Sequence, residues 1–286
     1  MTAFKEKIVA FVDVLGFKKL VADAEQGVGQ PLPDILSLLK LLGTGAERAR
    51  FDKYGPTCCP CAPFLERNLD FRVTQISDCV IASAEVSPAG VINVVSHCWG
   101  AVIELLGHGI MCRGYIKRGS VYHTDSQILG SGYQDAYSAE SKVSAFRREA
   151  DERGTPYVEV DSAIAEYVAS QSDACVKEMF SRMVKSDGNA VVLFPFQRLA
   201  HSFIIAGMGH KFDGERERQS NNNLRLSIGR MKERVWSFVD LENPSAVAKA
   251  KHYIAALDEQ LAGCDKTDEA IRMFESPFPR RIDERK

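Results

Sequence analysis

Neither sign of charge prevails in this sequence. Lysines and arginines number 36 against 38 aspartates and glutamates, a formal net charge of −2 at pH 7. That balance gives no basis for a general nucleic-acid or anionic-membrane surface, so neither partner is expected. Long hydrophobic runs are also missing. The apolar stretches are too short and too interrupted for the ~20 residues that cross a bilayer. The opening Met1–Lys7 runs straight into a strand pattern and carries no signal-peptide character, so a cytoplasmic protein is expected. Internal repeats and low-complexity tracts are absent. The eight cysteines read as free thiols in such a compartment. Their one cluster, Cys58-Cys59-Pro60-Cys61, has the two-residue gap of a zinc site only between Cys58 and Cys61 and no nearby fourth ligand. It reads as a loop with spare thiols.

What the sequence does have is an apolar share of 45% over 286 residues, ample for a packed core, and two acids in unexpected places. Asp13 interrupts the apolar run Ile8-Val9-Ala10-Phe11-Val12-Asp13-Val14-Leu15-Gly16-Phe17, and Asp78 breaks the similar run from Phe71 to Ala82. Carboxylates are rarely buried unless paired or bound to a cation. Two strands that each deliver one acid near an end are a way to build a divalent-metal site. Taken singly, Asp13 also fits a strand end bonded to backbone amides, and Asp78 fits an ordinary turn residue.

The pattern predicts a strand over 7–14, ended by Gly16, and a helix starting at Phe17. A break from Gly27 to Pro33 precedes a helix over 34–42 with Asp34 as its cap. Residues 50–67, rich in proline and cysteine, read as irregular. Strands at about 69–77 and 79–84 form a hairpin, and a largely apolar helix spans Val91–Leu106. A long strand follows from Ile110 to Tyr122. This β-α-β-β-α-β order is the split unit of ferredoxin-like folds. Beyond it the pattern predicts a helix over 133–153, a strand over 157–160, a helix over 162–184, a strand over 190–194, and helices over 220–239 and 245–262. Residues 1–200 are expected to form the main domain, with 201–286 a mostly helical extension packed on it. His97 reads as a core histidine, His123 and Asp125 as a solvated loop, Gly130-Ser131-Gly132 as a turn, Gly207–His210 as a connector, and 279–286 as a frayed tail.

Three motifs, taken in order, resemble the class III nucleotidyl cyclases. Phe11-Val12-Asp13-Val14-Leu15-Gly16-Phe17 resembles the first metal motif, and Ile76-Ser77-Asp78 the second, with Ser77 where glycine is usual. Arg113-Gly114-Tyr115-Ile116-Lys117-Arg118-Gly119-Ser120-Val121 resembles the strand that follows, and Ala136-Tyr137-Ser138-Ala139-Glu140 the helix that completes the site. Asp-Val-Leu-Gly-Phe brings the chain nearest to the pyrimidine cyclases of bacterial anti-phage (Pycsar) signalling. The resemblance covers about residues 7–200.

The resemblance implies an α/β (α+β) fold with a ferredoxin-like class III cyclase core and added C-terminal helices. It also implies a lyase that converts UTP or CTP to the 3′,5′-cyclic monophosphate and pyrophosphate, with uracil favoured weakly. Two divalent cations, Mn²⁺ or Mg²⁺, are implied on Asp13, Asp78 and the Val14 carbonyl. Leu15, Gly16 and Phe17 would contact phosphate at a helix start. Thr74 and Gln127 fall at base-contacting positions, where they replace the lysine and the polar group of purine-selecting members. Gln134 takes the place of the ribose-positioning asparagine and Ser138 that of the transition-state arginine. Another cation must then serve, and Arg113, Lys117 and Arg118 are candidates. Alternation puts Arg113 and Arg118 on opposite faces. A twofold homodimer is implied, as is a separate effector reached through the cyclic nucleotide. An adenylate or guanylate cyclase, and a catalytically inactive nucleotide-binding module, remain as alternatives.

Overall fold

A computed structural model describes residues 3–43, 69–199 and 212–276. The Cys58–Cys61 cluster, the whole of the segment 50–67 predicted as irregular, Gly207–His210 and the tail lie outside the described residues. The first strand, β1 (Lys5–Val14), leads into α1 (Phe17–Glu25), α2 (Leu32–Leu39) and a short 3-10 turn (Lys40–Leu42). The hairpin β2 (Arg72–Ile76) and β3 (Cys79–Glu85), helix α3 (Pro88–Gly107) and strand β4 (Cys112–His123) complete the unit. These strands lie in the order β2-β3-β1-β4 and all pair antiparallel. That is the ferredoxin-like arrangement, and the expected α+β class is met. The sheet then continues through β6 (Val158–Val160), β8 (Val191–Leu193) and β7 (Val184–Ser186), with β5 (Ile128–Leu129) paired to the end of β4. Because β6 runs parallel to β4, the sheet is mixed.

Strand β1 lies between β3 and β4, and its two faces look into separate parts of the interior. Ile8, Ala10, Val12 and Val14 point into the main core, with Val91, Ile92, Val95 and Val102 of α3. Val9 and Phe11 point to the opposite face, where Ile81, Val121 and Ala136 form a smaller cluster. Helix α3 has the length and hydropathy of a membrane span, but 67% of its most apolar window is buried inside the protein. Ser87 caps it by accepting the Gly90 N–H at 3.0 Å.

The smaller cluster is roofed by α4 (Ser131–Glu140), which turns Tyr133, Ala136 and Glu140 inward at helical spacing. Its first turn lies almost on the strand. A Cβ at Gly119 would stand 2.6 Å from the Gly132 Cα, closer than any side chain permits, so two glycines bring helix and strand together.

The predicted helix over 133–153 ends at Glu140. Val143 turns into the core, and its carbonyl accepts the N–H groups of Gly154 (2.8 Å) and Thr155 (3.1 Å), folding the chain back. The predicted helix over 162–184 is two helices, α5 (Ser162–Ala169) and α6 (Ala174–Met183), because Asp173 caps a new start through the Cys175 N–H at 2.8 Å. Helix α2 begins at Leu32 after Pro31, so Asp34 sits in its first turn and is not its cap. The hairpin partner β7 and the short β5 have no signal in the sequence pattern. The C-terminal helices α7 (Gly214–Phe238) and α8 (Pro244–Glu275) are longer than predicted. They pack Ile228, Val235, Tyr253 and Leu257 against Met111, Tyr157, Phe194 and Phe196. The Tyr253 hydroxyl accepts the Cys112 N–H at 3.3 Å, tying α8 to the start of β4.

Replacing Gly119 with alanine is expected to lift α4 off the sheet and lower stability by about 1–3 kcal/mol. Urea unfolding of the two proteins measures that difference, and an equal midpoint would show that the close packing is not needed.

Candidate active site

Asp13 belongs to the small-cluster face. It stands opposite Cys79 of β3 and Arg113 of β4 in the two ladders that flank β1. Directly opposed residues share a face, so the carboxylate, the thiol and the guanidinium converge. Asp78 comes from the hairpin turn, where Ser77 takes a left-handed conformation at φ 53°. Its carbonyl accepts the Val14 N–H at 3.1 Å, which fixes the turn against the end of β1. The two carboxylates lie close enough for their charges to interact. Burial, then the charges of Asp78 and Glu140, push the Asp13 carboxyl up to about 7, while Arg113 and the Val14 N–H work against the shift.

Glu140, which sequence reasoning did not single out, descends from α4 into the same centre. It is buried and pairs with Arg113, which also donates to the Gly154 carbonyl at 3.2 Å. Arg113 therefore faces Asp13 with its guanidinium already engaged. Arg118 points to the other face, opposite Ile8, and pairs with Glu6 at 2.6 Å. Lys117 shares the Asp13 face but is held by Asp135 of α4 at 2.8 Å. Helix α8 adds Lys249, whose ammonium is depressed by burial and by the charge of Arg113.

The strand-to-helix turn has two roles. The Leu15 N–H is taken by the Met111 carbonyl at 2.9 Å, so Leu15 braces the turn. Gly16 has φ 84° and starts α1 with no side-chain cap and no acid in the first turn. That leaves the helix start, from Gly16 and Phe17, able to donate to an anion. Phe17 meanwhile packs partly against the main core.

The remaining residues singled out in the sequence lie apart from the acids. Gln134 is exposed on the outer side of α4, six residues and about 9 Å up the helix from Glu140. Ser138 is also exposed. Gln127 lies in the exposed turn between β4 and β5, its N–H bonded to the Thr124 hydroxyl at 3.1 Å. Thr74 shares the sheet face of Asp13, and its hydroxyl meets His123 Nε2 at 2.9 Å; Ser83 Oγ meets His123 Nδ1 at 2.8 Å. His123 is thus buried, not in a solvated loop as predicted, because the end of β4 curls over the sheet face. Burial, then Lys7 and Arg72, lower its pKa to about 4, so the imidazole is neutral. Asp125 remains exposed and pairs with Arg72.

A divalent cation suits this chemistry. Among the described residues no three His, Cys, Asp or Glu side chains gather as a metal cage. Mg²⁺-type ions, however, use one or two carboxylates and complete their shell with substrate phosphates and water. Asp13 and Asp78 are two carboxylates of that kind, and burial, then the charges of Asp78 and Glu140, raise the Asp13 pKa. Burial and the two acids push the Cys79 thiol up to about 11, which keeps it protonated and unsuited to zinc.

No protein-family model matches the chain, and neither does any curated protein. Among solved structures it is similar to the catalytic core of a rhodopsin-guanylyl cyclase with converted specificity, in complex with ATPαS. The TM-score is 0.34 and the identity 13%, over 66% of this chain and 92% of that chain. A likeness of that size assigns no role to any residue.

Because the Asp13 pKa is raised above its unfolded value of about 3.9, the folded protein holds the extra proton between about pH 4 and 7. Its stability should fall as pH rises through that window and level off above it. Thermal melts without divalent ions are expected to show this decline in the wild type and a flatter profile in Asp13→Asn. Millimolar Mn²⁺ should restore wild-type stability at pH 8 and leave Asp13→Asn unmoved.

Proposed function

We propose that this protein is a nucleotidyl cyclase that converts UTP or CTP to the 3′,5′-cyclic monophosphate and pyrophosphate, as a messenger in antiviral defence. The supporting observation is the meeting of two otherwise lone acids, Asp13 from a strand end and Asp78 from a hairpin turn, beside an uncapped helix start. In the reaction the ribose 3′-oxygen forms a bond to its own α-phosphorus and the bond to the pyrophosphate leaving group breaks. Divalent ions, when bound, supply Lewis acidity for the hydroxyl and charge neutralisation for the phosphates. Asp13, Asp78 and the Val14 carbonyl would hold them. The start of α1 donates to phosphate oxygens, and Gly16 lets that backbone come close.

Thr74 supports the pyrimidine assignment. A short hydroxyl, already bonded to neutral His123, stands where purine-selecting relatives carry a lysine. Gln134, exposed on α4, suits a role at the site of a neighbouring copy in a twofold homodimer, as the family resemblance implies. A second reading has its own support. Arg113 is committed to Glu140 and the Gly154 carbonyl, and Ser138 carries no charge. A binding module without turnover would have this pattern.

Incubation with each of the four ribonucleoside triphosphates and Mn²⁺ tests both. Cyclic UMP or cyclic CMP is the expected product, and Asp13→Ala and Asp78→Ala should each lower its rate by at least about 100-fold. Cyclic AMP or cyclic GMP as the main product would refute the base assignment. Tight triphosphate binding with no product would favour the binding module.

A further inference from the structure

At the opposite end of β1 from Asp13 the same sheet face opens into a cleft of about 260 Å³. It is lined by Lys5, Lys7, Asp70, Arg72, Tyr122 and His123, among others. The separation from Asp13 to Lys7 is six strand residues, about 20 Å. We propose that this cleft is a second binding site, for a small phosphate monoester.

The argument rests on unspent hydrogen-bond donors. Lys7 is 1% exposed, an unusual burial for an ammonium. Of its three donors, two go to Asp70, to the carbonyl at 2.8 Å and to Oδ2 at 3.1 Å. The third finds no acceptor among the described residues. Arg72 spends Nε on Asp70 Oδ1 at 2.9 Å and one Nη1 hydrogen on Asp125, which leaves Nη2 without an acceptor among the described residues. Lys5 reaches Asp70 Oδ2 only at 3.6 Å, and its side chain is 63% exposed. Asp70 is the one carboxylate in the lining, and both its oxygens are occupied. His123 is held at both nitrogens by Thr74 and Ser83.

The side chains that line the cleft are therefore rich in donors and their one carboxylate is occupied; behind them the Glu85 Oε2 is buried without a hydrogen bond among the described residues, and the ligand that complements the lining is one made of acceptors. A phosphate group offers three oxygens to an arginine fork and two ammoniums. The volume lies just under the usual range for ligand sites, roughly 300–1,000 Å³, so the group attached to the phosphate is compact. Glu85 faces Lys7 across the ladder and takes the Asp70 N–H, and Asp125 sits at the rim. They keep the cluster close to neutral from outside the cleft. Recognition then comes from directed bonds more than from net charge. Burial lowers the Lys7 pKa despite Asp70 and Glu85, so an added anion would relieve an ammonium that its present partners do not fully compensate.

Calorimetric titration of the full chain with inorganic phosphate and with ribose 5-phosphate, at constant ionic strength and with EDTA, tests the site. Saturable binding is expected for both, weakened at least 10-fold by Arg72→Gln. The exposed Lys5→Gln provides a second, folding-neutral variant and should weaken binding about threefold or more. Asp13→Ala, which disables the proposed cyclase centre, should bind phosphate as the wild type does. Absent saturation, equal affinity in both cleft variants, or loss of binding in Asp13→Ala would overturn the proposal. Cyclase assays that fail leave these titrations unaffected, so the two readings stand or fall separately.

Discussion

The meeting of two carboxylates, Asp13 from a strand end and Asp78 from a hairpin turn, sets the terms for the rest of this protein. Asp13 is fixed by β1, which is paired with β4 from Lys5 to Val14 and with β3 from Lys7 to Asp13, and Asp78 by a turn whose carbonyl is bonded to the Val14 N–H of that strand. Burial does most to raise the proton affinity of Asp13, and repulsion from the charges of Asp78 and Glu140 adds to it. A fold keeps such a pair only where the surroundings leave it no escape. Here the surroundings are Arg113 in front, Glu140 holding Arg113, and a closely packed α4 holding Glu140. A cation between the acids would turn the same repulsion into affinity.

Charge on this sheet face is separated by distance. The acids occupy one end, a lysine- and arginine-lined cleft the other, and Phe11, Tyr133 and Tyr137 the middle, where the rings of Phe11 and Tyr137 meet edge to face at 5.2 Å. The aromatic middle keeps the two polar ends from neutralising one another. The C-terminal hairpin contributes from behind: Tyr253 accepts a backbone N–H of β4 one residue before Arg113. The extension is thus joined to the strand that carries part of the candidate centre.

Much of the core unit was legible because its signals are local. The unbroken apolar run of β1, the alternation of β4, the apolar length of α3 and the lone acids all survive in a single sequence. What failed to show were features that depend on partners distant along the chain. Glu140 looks like one more helical glutamate until Arg113 is placed opposite Asp13. His123 looks solvated until the curl of β4 buries it under Thr74 and Ser83. The run 133–153 keeps helical composition past Glu140, yet Val143 ends the helix by turning into the core, a tertiary preference that overrides propensity. The break before α6 was readable in principle, since Asp173 heads a new helix in the manner of a cap.

The boundary at Gly16 divides two regimes of motion. On one side lies a strand whose amides are locked in ladders with both neighbours; on the other, α1 buries no residue completely. Amide exchange with solvent should therefore be slowest just before that glycine and fast just after it. The acid is thus anchored in a doubly paired strand, whereas the adjoining helix is held by fewer buried contacts.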